Sequence, residues 1–76
     1  MSGLRPISWK KFEKFVLYVG CHYERKSGDH RIYGRGDLKR PVVFPEDKKI
    51  PVFIIRNNLR TLGISHNEYL RILEKI

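Results

Sequence analysis

A chain of 76 residues with 16 Lys and Arg against 8 Asp and Glu, net charge +8 and pI near 10, is one domain (1–76) with a small core and no room for a second domain or a cofactor cradle. That balance favours polyanions, nucleic acid first and an acidic protein second, through attraction and counterion release. Cys21 is the only cysteine, so an internal disulfide and a thiolate zinc site are excluded; no apolar run resembles a signal peptide or approaches the ~20 residues of a membrane span, so a cytoplasmic location without membrane contact is expected.

Ser8 is placed to cap a first helix, with Ile7 and Phe12 spaced as a hydrophobic staple. Trp9, Phe12, Val16 and Val19 recur at helical spacing, Phe15 widens the stripe, and Gly20 ends it. "HYERK" (22–26), "HRIYG" (30–34) and "RPVVF" (40–44) read as three short strands. Ser27-Gly28-Asp29 and "RGDLK" between them are turn formers, too short for parallel crossovers, so an antiparallel meander is expected. Pro45 closes the third strand and Pro51 suits the first turn of a second helix, whose stripe of Val52, Ile55, Leu59 and Leu62 stops at Gly63. Ser65 and Glu68 form a capping box, flanked by Ile64 and Tyr69, and Leu70, Leu73 and Ile76 continue a final short helix. The fold class expected is α+β, in the order α-β-β-β-α with a short extra C-terminal helix, the helices packed on one face of a three-stranded antiparallel sheet and the other face open.

His30 is the candidate for chemistry. With Ser27-Gly28 at the centre of the turn, Arg25 lies opposite His30 and Tyr23 opposite Ile32. A neutral imidazole there could take the proton of a ribose 2′-hydroxyl, with Arg25 and Lys26 stabilising phosphate charge, or it could be a plain surface histidine. His22, His30 and His66 sit on different elements without ligand spacing, so no metal is expected, and no cofactor either. Arg56 and Arg60, four residues apart on the second helix, could track a phosphodiester backbone, and Lys48 and Lys49 add cations near that helix's N-terminus.

The first helix ending in Gly20, "ERKSGDHRIY", "RPVVFP" and the amphipathic helix ending in "LGIS", in this order from about Ser8 to Leu73, resemble the HicA toxins, small mRNA interferases of toxin-antitoxin systems. The resemblance implies a fold like the double-stranded RNA-binding domain, cleavage of mRNA, neutralisation by a HicB-type antitoxin, and His30 as the matching catalytic residue. Asp29 stands where the family usually has serine or threonine, and Glu46-Asp47 where many members place a second histidine. Asp29 is therefore a candidate modulator that could favour imidazolium, orient the ring or repel substrate phosphate. A metal-independent endoribonuclease is the reading reached here; a non-catalytic RNA-binding module, or an inactive HicA-like interaction protein, is the alternative.

Overall fold

The computed structural model describes residues 3–76. Helix α1 (Trp9–Tyr18) begins where the Ser8 hydroxyl accepts from the Lys11 N–H at 3.2 Å, and it ends in a Schellman arrangement. Gly20, at φ 96, donates to Leu17 O, and Cys21 donates back to Val16 O. That closure turns the chain into β1 (His22–Ser27), followed by β2 (His30–Gly34) and β3 (Val42–Pro45). The three form one antiparallel sheet in the order β1-β2-β3. Helix α2 (Val52–Leu62) is closed by a second glycine, Gly63 at φ 70, and α3 (His66–Leu73) is opened by Ser65, whose hydroxyl accepts from the Glu68 N–H at 3.1 Å.

Side chains alternate across β2, which puts Arg31 and Tyr33 on the face toward the helices and His30, Ile32 and Gly34 on the other. On the helix face the Tyr33 ring stacks on Phe44 (5.2 Å between centroids), Phe44 meets Phe12 edge-on (4.9 Å), and Phe15 meets Tyr69 edge-on (4.8 Å). One aromatic run thus ties the sheet to α1 and α3. The Ile50 N–H donates to Ile7 O at 2.7 Å and the Trp9 N–H to Asp47 O at 3.0 Å, fixing the start of α1 to the segment after β3.

The free edge of β3 is covered by a side chain. Asn58 of α2 accepts from the Val43 N–H at 3.3 Å and donates to Val43 O at 2.9 Å, so its amide takes the place of a neighbouring strand. Among the described residues it is the one buried side chain that is neither apolar, cysteine nor tyrosine.

Four expectations need correction. The hairpin turn is centred on Gly28-Asp29, with Ser27 paired to His30, and Arg25 therefore faces Ile32 instead of His30. The reason is conformational: Gly28 at φ 61 takes the first central place of a two-residue turn, which only glycine fills without strain, and a bulge at Glu24 shifts the strand again so that Tyr23 faces Tyr33. Pro51 is the N-cap of α2, not a residue of its first turn. Helix α3 ends at Leu73, so Ile76, expected to continue it, lies beyond its end, and the residues the helix buries are Tyr69 and Ile72. The outer sheet face is open only in part, because Ile32 and Gly34 are buried there and the Glu24 side chain lies over Gly34.

Candidate active site and nucleic-acid interface

The tight turn presents Asp29 and His30 at the tip of the β1-β2 hairpin. His30 Nδ1 lies 3.0 Å from Asp29 Oδ1, and both side chains are more than half exposed. At that distance the carboxylate can pair with the ring, and the exposed imidazole is open to solvent or a substrate. The turn is also held from outside: the Glu46 N–H donates to Asp29 O at 2.8 Å, coupling the tip to the chain just after β3. Arg25 stands on the same sheet face as His30 as its diagonal neighbour, a relation that places two Cα atoms roughly 7–8 Å apart. Its side chain has no ion pair or hydrogen bond among the described residues.

Lys26 is different. Its position pairs with Arg31, on the opposite face from His30, and its Nζ sits 3.0 Å from Glu46 Oε1. Glu46 in turn accepts from Arg31 Nη1 at 2.8 Å, and these two cations, Arg31 foremost, hold its carboxyl below the usual carboxylate range. Arg31 is the centre of a network that sequence reasoning missed. Its guanidinium donates from Nη2 to Glu13 at 3.1 Å and from Nε to the Tyr33 hydroxyl at 3.0 Å, while the Tyr33 hydroxyl itself donates to Glu13. The same planar group lies 4.7 Å from the ring centroids of both Trp9 and Tyr23. Burial and then the bond to Glu13 push the Tyr33 phenol up to about 12. The network binds α1, β1, β2 and the segment after β3 to one another on the sheet face opposite His30.

The signal for Arg31 was present in the alternation of β2, where Arg31 shares the core-facing side with Tyr33. Trp9, expected in the apolar stripe, is only partly buried and serves as a platform for the guanidinium. Glu46, noted only as standing in the place of a histidine, is the carboxylate that Lys26 and Arg31 share.

The remaining expected cations are spread along α2. Lys48 and Lys49 are exposed just before it, and Arg56 and Arg60 are exposed on it. Arg60 lines a groove between α2 and the 37–41 loop, whereas Arg56 lies on the helix face beyond it. Neither Lys48, Lys49, Arg56 nor Arg60 contacts His30 through any bond among the described residues. Among those residues no three His, Cys, Asp or Glu side chains come together as a metal-binding group, and no helix is long and apolar enough to cross a membrane.

Compared with known families, residues 9–64 match the one described as HicA toxin of bacterial toxin-antitoxin systems. The chain belongs to the HicA toxin family. The match covers α1, the whole sheet and α2, and so contains Asp29, His30 and every cation named above. No curated protein and no solved structure matches the chain. Within the HicA frame the α-β-β-β-α order with an added C-terminal helix is as expected, and α3 lies outside the matched segment.

Proposed function

We propose that this HicA-family chain, folding as one domain over 1–76, is a cytoplasmic mRNA interferase that cleaves RNA without a metal and is held in check by a HicB-like antitoxin. The observation that carries the reading is the exposed Asp29-His30 pair, in which the carboxylate lies 3.0 Å from one ring nitrogen and the imidazole stands open to a substrate whose proton it would take. His30 Nε2 removes the proton from a ribose 2′-hydroxyl; the 2′-oxygen bonds to the adjacent phosphorus as the bond from phosphorus to the 5′-oxygen breaks; and the leaving 5′-oxygen takes a proton from the imidazolium or from water. The products are a 2′,3′-cyclic phosphate and a 5′-hydroxyl. Arg25, on the same face, stabilises charge on the phosphate, and Lys26, on the opposite face, holds a flanking phosphate of the strand. Lys48, Lys49, Arg56 and Arg60 hold the strand by its phosphates. A small chain can perform this chemistry because the RNA supplies the nucleophile.

The antitoxin partner follows from the family and from the charge of +8, which favours an inhibitor with acidic side chains over the basic surface. A second reading, a non-catalytic RNA-binding module, is favoured by the exposure of His30 at a hairpin tip, away from the groove beside α2. Incubation of the purified protein with end-labelled RNA in EDTA separates the two. Fragments ending in 2′,3′-cyclic phosphate are expected; intact RNA, or cleavage only after a divalent cation is restored, overturns the proposal.

A further inference from the structure

Cations without a carboxylate partner face one another across the groove beside α2. Arg31, Arg35 and Lys26 each have a carboxylate partner. Lys39 and Arg40 on the loop side and Arg60 on the helix side have none among the described residues, yet all three line one groove of about 830 Å³. The only acid there, Asp37, is bound by Arg35 at 2.6 Å, which keeps its carboxyl below the usual range and cancels its charge. A concave surface with uncompensated cations on both walls concentrates field and calls for an anionic ligand. The groove also offers groups that charge alone does not require. The Asn57 and Thr61 side chains line it without hydrogen-bond partners among the described residues, and so can donate and accept.

Along α2 the groove continues into a stacking surface. Phe53 is 62% exposed, the most open large apolar side chain among the described residues, and it lies one turn before Asn57 on the same helix face. Arg56 is beside it and Lys48 and Lys49 precede it. Alternation of a bare aromatic ring, cations and hydrogen-bonding side chains matches a single-stranded nucleic acid, whose bases stack while its phosphates pair. An acidic peptide would satisfy the cations and leave the ring and the amide unused.

We propose that the groove formed by Lys39, Arg40, Asn57, Arg60 and Thr61, extended by Phe53, is a single-strand binding track, with phosphates between the loop and helix cations and a base on the Phe53 ring. The proposal rests on the RNA-directed reading above and assigns the strand a path distinct from the hairpin tip.

The test uses a short single-stranded 2′-deoxyoligonucleotide, which lacks the 2′-hydroxyl and cannot be cleaved, in an amide NMR titration of the whole chain. Amides of residues 38–40, Val43 and 57–61 are expected to shift. Arg40→Gln with Arg60→Gln should weaken binding at least about tenfold and flatten its salt dependence, each lost phosphate contact lowering the slope by about 0.7. Phe53→Ala should weaken binding roughly 5- to 100-fold with the slope unchanged, as expected for loss of stacking. Far-ultraviolet circular dichroism and the thermal midpoint of each variant show that it is folded. Shifts confined to the hairpin, or variants that bind like the wild type, overturn the track. So does saturation of the same amides by inorganic phosphate at equal concentration, or tighter binding there of a poly-glutamate peptide, which would reassign the groove to an acidic protein. Cleavage of RNA in EDTA is scored separately: cleavage with an inert groove removes the track alone, and a working groove without cleavage removes the nuclease alone.

Discussion

Replacement of Asn58 tests whether one amide holds α2 against the sheet edge. The side chain is 6% exposed and both of its hydrogen bonds go to the backbone of Val43, so Asn58→Ala removes two bonds and leaves a strand N–H and C=O without their partner. Each bond contributes about 0.5–1.5 kcal/mol net, and Val43 lines the groove where water can reach part of the vacated space, so the cost should be about 1–3 kcal/mol. For a domain of this length that corresponds to a drop in Tm of roughly 5–20 °C. Asn58→Asp is the sharper variant, because it keeps shape and the acceptor for the Val43 N–H but sets a carboxylate oxygen against the Val43 carbonyl. At neutral pH it should be less stable than Asn58→Ala. Protonation restores the donor, and burial raises the folded-state pKa of the introduced carboxyl above its unfolded value of ~3.9, so the stability it loses returns as pH falls through the folded value. Thermal melts of the three proteins between pH 3 and 7 are the assay. An Asn58→Ala midpoint within about 2 °C of wild type, or an Asn58→Asp deficit that does not shrink in acid, would refute the role given to this amide.

The clamp around Arg31 makes a graded expectation: Arg31→Lys keeps the charge but cannot reach Glu13, Glu46 and Tyr33 together while lying between two rings, so Tm should fall in the order wild type, Lys, Ala, and a Lys variant equal to wild type would contradict it. Tyr33→Phe should destabilise through loss of the bonds to Glu13 and Arg31, whereas Tyr69→Phe should be neutral or stabilising because the Tyr69 hydroxyl is buried with no partner among the described residues; equal melting of the two variants would argue against this. Both phenols are pushed up to about 12, chiefly by burial, from an unfolded value of 10.0; their contribution is therefore intact below pH 10 and lost as pH rises toward 12, where Tm should drop together with late tyrosinate absorbance. Asp29→Asn should lower kcat with little change in KM, since it alters the partner of the imidazole and not the cations that bind RNA; inactive wild type with an active Asp29→Ser variant would instead mark this chain as silenced at that position.

The starts of α1 and α3 and the ends of α1 and α2 were legible in the sequence because their caps are local. Ser8 and Ser65 each close a hydrogen bond three residues ahead, and Gly20 and Gly63 take the left-handed conformations that end α1 and α2. The hairpin register was not, because two adjacent turn formers allow two centres, and the choice between them rests on the sign of one backbone angle at Gly28. Asn58 was legible in hindsight: it falls three residues after Ile55 and four before Leu62, a polar residue on the apolar stripe. Asp29 and His30 could be read from neighbouring positions and from the HicA resemblance. The Arg31 network could not, since Glu13, Tyr33 and Glu46 meet it from a helix, its own strand and the segment after β3, and only the packed fold brings them together.

The central claim is that His30 is the base for RNA cleavage, and the direct measurement is the kcat/KM of His30→Ala on RNA in EDTA alongside its affinity for a 2′-deoxyoligonucleotide. A positioned acid-base group contributes ~100- to 10,000-fold, so kcat/KM should fall by that factor. Affinity and Tm should stay close to wild type, because His30 is exposed and the cationic surface is intact. Cleavage by His30→Ala at the wild-type rate would contradict the assignment.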